Sequence, residues 1–108
     1  MKNECIIDSD RNKRWYQNNL VHRDNDEPTV IDSNGDKLWY QNNLLHRDHD
    51  KPAVIYNSGT KEWYQNGVLH RDNGAAVEYF NGTKYWCIVE KEYSEEEYWR
   101  RIKLLVFI

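Results

Sequence analysis

Lys13-Arg14-Trp15-Tyr16-Gln17-Asn18-Asn19-Leu20-Val21-His22-Arg23-Asp24 returns almost letter for letter at 37–48 and again at 61–72. The tryptophans fall at Trp15, Trp39 and Trp63, with a degraded fourth copy at Trp86, so the period is 24, 24 and 23 residues. A fixed period in the twenties marks one supersecondary unit stacked on copies of itself. Residues that recur at that period then serve packing, binding or both.

The unit begins ahead of the tryptophan. Ile6-Ile7, Val30-Ile31, Val54-Ile55 and Val77-Glu78 are short runs at the same phase, three of them wholly β-branched. Turns at Asn34-Gly35, Ser58-Gly59 and Asn81-Gly82 follow, and the Lys-x-Trp-Tyr-Gln strand comes next. An apolar run, a glycine turn and an aromatic run predict a β-hairpin. Hairpins are expected at about 5–17, 29–41, 53–65 and 76–88. The first has Asp10-Arg11-Asn12 in place of a glycine and is expected to be looser.

Side chains alternate across a strand, so each tryptophan faces one side and position 38 the other. Position 38 varies (Arg14, Leu38, Glu62, Tyr85), as an exposed site would. Trp15, Trp39, Trp63 and Trp86, with Val30, Val54 and Val77, are the expected core. Pro28 and Pro52 restart strands where a missing N–H does no harm.

The C-terminal segment changes period. Ser94 followed by Glu97 is a capping box, with Tyr93 and Tyr98 placed as a staple. Tyr98, Trp99, Ile102, Leu105 and Val106 form a helical stripe. The predicted architecture is mainly β, a single domain over 1–108. It is an open antiparallel array of about four hairpin repeats (about 5–28, 29–52, 53–75 and 76–93), meander- or solenoid-like. A capping α-helix covers about 94–107; a helix that binds a partner or forms a homodimer is the alternative.

Composition narrows the class. Hydrophobic residues make up 39% of the 108 residues and aromatics 14%, so burial must rest on Trp and Tyr. A net charge of −3 with both signs interspersed argues against generic nucleic-acid or anionic-membrane binding, and no direct sequence-specific contact with nucleic acid is expected. No apolar signal core opens the chain and no run approaches the ~20 apolar residues of a membrane span. Cytoplasmic placement is the expectation, with Cys5 and Cys87 as reduced thiols.

Little in the motifs suggests catalysis. His-Arg-Asp at 22–24, 46–48 and 70–72 is the triplet of the kinase catalytic loop, but the accompanying asparagine, glycine loop and Asp-Phe-Gly are missing. Equivalent residues two strands apart lie about 10 Å from one another, so His22, His46 and His70 cannot share one ion held at about 2 Å. No metal, cofactor or catalytic residue is expected. Two roles stay open for the triplet. The arginine can pair with an aspartate of a neighbouring unit while the imidazole packs on tryptophan. Alternatively, a row of His and Arg groups faces an acidic partner. In that second reading Arg23, Arg47 and Arg71 bind, with Tyr16, Tyr40 and Tyr64 beside them, and Tyr98 and Trp99 on the helix come next.

The stretch Trp63-Tyr64-Gln65-Asn66-Gly67-Val68-Leu69-His70-Arg71-Asp72-Asn73-Gly74-Ala75-Ala76-Val77-Glu78-Tyr79-Phe80-Asn81-Gly82-Thr83-Lys84-Tyr85-Trp86 resembles the MORN-repeat-variant family, over about residues 6–93. Ala75 stands where that pattern has proline, the first two connections carry an extra residue, and the last unit lacks the Tyr and the Asn-Gly turn. The ending from Lys91 to Glu97 looks like that of small bacteriophage-encoded members. The resemblance implies an antiparallel hairpin array and no single activity. Its functional expectation is a non-catalytic protein-binding module that occupies a partner surface, as an inhibitor of a host defence system (anti-CRISPR-like) would. A toxin-neutralising immunity protein is the alternative, and a carbohydrate-binding repeat module the second.

Overall fold

The computed structural model describes residues 3–106, with side chains to residue 104. The chain is a flattened open sheet, 45 × 33 × 19 Å, followed by one helix. Its Cα radius of gyration is 15.4 Å, against about 13 Å for a compact domain of this length. An array stacked along one direction accounts for the difference.

The strands are β1 (Asn3–Ile7), β2 (Lys13–Gln17), β3 (Leu20–Val21), β4 (Val30–Ile31), β5 (Lys37–Leu38), β6 (Tyr40–Gln41) and β7 (Leu44–Leu45). The second half holds β8 (Val54–Ile55), β9 (Lys61–Glu62), β10 (Tyr64–Gln65), β11 (Val68–Leu69), β12 (Val77–Glu78), β13 (Lys84–Ile88) and β14 (Lys91–Tyr93), then α1 (Glu95–Val106). The main sheet runs β1-β2-β4-β5-β8-β9-β12-β13-β14, with β3 beside β2. Small ladders β6–β7 and β10–β11 stand apart from it, and all pairs are antiparallel. Each expected hairpin forms, and the expected helix forms one residue inside its predicted start. Residue 107 and the side chains of Leu105 and Val106 lie outside the described residues.

Each tryptophan sits where the strand changes partner. Trp39 N donates to Ala53 O of the next unit while Trp39 O accepts from His46 N of its own. Trp15 and Trp63 repeat both bonds, with Thr29 and His22, and with Ala76 and His70. A second hairpin follows each time. Its central residues have positive φ in all four copies: Asn18-Asn19, Asn42-Asn43, Asn66-Gly67 and Val89-Glu90. Two consecutive positive φ values define a type I′ turn, whose backbone twist matches the flanking strands. The fourth unit therefore keeps its second turn although its sequence has lost the Asn-Gly signal.

The first turns are three-residue loops with a left-handed third residue. Gly35, Gly59 and Gly82 take that position, and Arg11 takes it at φ 66° in the first unit. The expected looseness there is corrected: Asp8 N–Asn12 O and Arg11 N–Asp8 O reproduce the bonds of the other three turns. The Asp8 carboxylate adds bonds from the amides of Asp10 and Asn12.

Burial occupies both faces. Trp39, Trp63, Thr29, Ala53 and Ala76 are buried on one; Val30, Val54 and Val77 are buried on the other. Cross-strand register sets Leu38 beside Val30 and Val54, and Glu62 beside Val54 and Val77. Leu38 and Glu62 are half-buried, so position 38 is exposed only at Arg14 and Tyr85. Trp15 and Trp86 are half-buried, as terminal members of a row are.

α1 closes the far end. Ser94 Oγ accepts from Glu97 N at 3.2 Å, as a capping serine should. Trp86, Tyr98 and Trp99 pack with ring centroids 5.0–5.8 Å apart. The Tyr98 hydroxyl donates to Arg71 O and accepts from Gly74 N. Cys5 is exposed and Cys87 buried, and both are free thiols.

Candidate functional site

The His-Arg-Asp loops line one edge of the array, and their internal geometry divides the triplet. Each histidine ties two units together. The Nδ1 atoms of His22, His46 and His70 accept from the amides of Asn42, Asn66 and Val89, 3.4, 3.0 and 3.0 Å away. The proton is thereby fixed on Nε2, which donates to Asp24, Asp48 and Asp72 at 3.0, 2.7 and 2.6 Å. That bond, helped by Gln17 and Gln41, holds the carboxyls of Asp24 and Asp48 below their ordinary range.

Each arginine is enclosed. Arg23, Arg47 and Arg71 stack over Trp15, Trp39 and Trp63, with the guanidinium carbon 3.8–3.9 Å from the ring centre. They donate to the carbonyls of Pro28, Pro52 and Ala75. Arg47 grips Asp26 of the preceding loop with two bonds, and Arg71 grips Asp50 likewise and adds Glu78. Arg23 takes Glu27 instead. Asp26 is pushed down from 3.8 to about 2, chiefly by the Arg47 hydrogen bond, with Lys51 assisting. Carbonyls of Asp26 and Asp50 also accept the indole N–H of Trp39 and Trp63. Asp26 and Asp50 reach this position through left-handed backbone at φ 56°. The extra residue that lengthens the first two connections makes that turn.

The third connection is a residue shorter and serves the cap. A Cβ on Gly74 would lie 2.8 Å from the Arg71 guanidinium carbon, so a side chain there would push that guanidinium off its partners.

The residues expected to bind are therefore separated. Side chains of Arg47 and Arg71 are 13–14% exposed, and each of their guanidinium nitrogens has a partner. Tyr16 and Arg23 border one groove of about 220 Å³, and Tyr40 and Arg47 another of about 280 Å³. Tyr64 borders neither: its hydroxyl meets Glu62 at 3.2 Å, and burial and that carboxylate raise it to about 12. Tyr98 is wholly buried, which corrects its placement on a binding surface, and Trp99 is half-buried against Trp86. Among the described residues, no three His, Cys, Asp or Glu side chains form a group that could hold a metal.

The free cations of the array are different ones. Register places Lys13, Ile31, Lys37, Ile55, Lys61, Glu78 and Lys84 in one row across the sheet. Glu78 reaches Arg71, which lies over Trp63, so the row shares its face with the indoles. All four lysines are exposed, and no ion pair among the described residues involves them. Beyond the stacked Trp and Arg groups, Asp24, Asp48 and Asp72 are 58%, 58% and 78% exposed at the loop edge. This face thus carries a cationic row and an anionic row, separated by packed aromatics. The lysines recur at the tryptophan period, two residues ahead of each indole, and that signal was present in the sequence.

Comparison with protein-family models, curated proteins and solved structures returns no match. Among the described residues no helix is long and apolar enough to cross a membrane.

Proposed function

We propose that this chain is a non-catalytic protein-binding module that docks on an acidic protein surface through its lysine row. The carrying observation is the division of labour between the two repeated cations. The arginines have internal partners for their forks, whereas Lys13, Lys37, Lys61 and Lys84 have none in the described residues and stand in one row. Isoleucines 31 and 55 lie between them, so a partner can bury aliphatic stems along with charge. The parallel carboxylate row disfavours a uniform polyanion and sets the orientation of docking. Surface occupation of this kind suits an inhibitor of a host-defence effector, or a protein that neutralises a toxin. The resemblance to MORN-repeat variants supports the same reading, since it carries no catalytic residues.

The test is affinity capture from the native host with the wild-type chain and with a Lys37→Glu/Lys61→Glu variant. One protein should be retained by the wild type, released by salt and lost by the variant, with far-UV circular dichroism unchanged. Equal capture by the variant, or capture of nucleic acid alone, overturns the proposal.

A further inference from the structure

The opposite face of the sheet holds a second surface, whose aromatic rings come only from the later units. Glu62 and Trp63 are consecutive and point to opposite sides. Around Glu62 the strands and turns set Tyr56, Tyr79, Phe80, Thr60 and Asp36 along an open groove of about 600 Å³. Tyr56 and Tyr64 both direct hydroxyls at Glu62 Oε1, at 3.4 and 3.2 Å. Tyr79 meets Tyr85 edge to face, with centroids 5.5 Å apart. Phe80 is 72% exposed, more than any other large hydrophobic residue of the described chain.

This groove does not follow from the array's own needs. The positions of Tyr56 and Tyr79 are Asp8 and Asp32 in the first two units, and that of Phe80 is Ser9 and Ser33. Stacking of the first turns asks only for the backbone amide there: Phe80 N donates to Thr60 Oγ1 as Ser33 N donates to Asn12 Oδ1. The rings are therefore additions at sites the scaffold leaves free, and they surround a carboxylate, Glu62, that stands where the first two units have Arg14 and Leu38.

We infer that the groove takes a lysine or arginine side chain from an extended basic segment of a protein partner. Its lining holds two carboxylates, Asp36 and Glu62, and no basic residue. Ring faces and a carboxylate together attract a cation, because the π quadrupole and the anion act in the same sense. Burial first, and the Glu62 charge second, raise both Tyr56 and Tyr64. The shallow, open form suits a side chain delivered by a polymer. This surface is distinct from the lysine row, and either can fail alone.

The experiment is a ¹⁵N-detected titration of the full chain with hexaarginine amide, with cellohexaose as the neutral control. The peptide should shift the amides of Tyr56, Thr60 and Phe80. Glu62→Gln, which keeps an oxygen for both phenols, should weaken binding at least fivefold. Phe80→Ala, at an exposed site, should weaken it with no change in melting temperature. Shifts confined to Asp24, Asp48 and Asp72, wild-type binding by both variants, or cellohexaose moving the same amides at lower concentration would each overturn the inference.

Discussion

Arg47→Ala removes three interactions at once, and their sum is large for so small a domain. The guanidinium lies 3.8 Å above the Trp39 ring with its side chain only 13% exposed, which places the cation–π contact near 1 kcal/mol. The bond to Pro52 O at 3.1 Å is charge-assisted and contributes roughly another 1 kcal/mol. The pair with Asp26 is 37% exposed on the acid side and Lys51 remains to serve it, so about 0.5 kcal/mol is a fair share. The expected loss is about 2–3 kcal/mol. Arg23→Ala should cost less, about 1.5 kcal/mol, because its acid Glu27 is 56% exposed and its own side chain 24%. Arg71→Ala should match or exceed Arg47→Ala, since Glu78 is lost as well. Urea unfolding of the three single variants, followed together by indole fluorescence and far-UV circular dichroism, gives the order. Three variants within 0.5 kcal/mol of wild type, or Arg23→Ala as the worst, would refute the scaffold role of the arginines.

Other substitutions test the cap, the turns and the inter-unit ion pair. Tyr98→Phe leaves Gly74 N and Arg71 O without their shared hydroxyl; a loss of roughly 1–3 kcal/mol should appear as a lower urea midpoint. Val89 holds φ 47° in a type I′ turn where the other units have asparagine, so Val89→Asn should gain about 0.5–1 kcal/mol and raise the melting temperature. A lower melting temperature would show that Val89 is not strained. The Asp26 carboxyl is ordinarily at 3.8 and lies at about 2 in the fold. Being depressed, it stabilises fully above about pH 4, and that contribution disappears as pH falls towards 2. Screening of so exposed a group cuts it to about 1 kcal/mol. Asp26→Asn should flatten the pH dependence of stability between pH 4 and 2, and an unchanged slope would remove Asp26 from the account.

Local rules made the hairpins legible, and stacking rules hid the rest. Val54-Ile55, Gly59 and the aromatic strand announce one hairpin by period and turn chemistry alone, and Ser94 with Glu97 announces the helix start. What makes Val89-Glu90 turn is a histidine in another unit, since His70 Nδ1 captures the Val89 amide and no local residue favours that backbone. Position 38 was misread because variability resembles exposure, while Leu38 and Glu62 in fact flank the buried valines. Recurrence alone left a scaffold role and a binding role open for the arginines, and it set the imidazoles on tryptophan, where the guanidinium groups of Arg23, Arg47 and Arg71 lie instead. Their partners Asp26 and Asp50 lie 21 residues away, beyond the reach of local pattern. The tyrosine groove was legible only as departures from the repeat at 56, 79 and 80, which a search for recurring residues passes over.

Carbodiimide coupling of the captured complex, read by mass spectrometry of the linked peptides, tests the central claim most directly, because it joins an amine only to a carboxylate in contact. Links should join Lys13, Lys37, Lys61 and Lys84 to acidic residues of the partner. Links that instead start from Lys51, Lys91 or Lys103, or that join Asp24, Asp48 and Asp72 to partner lysines while the row stays unlinked, would contradict it.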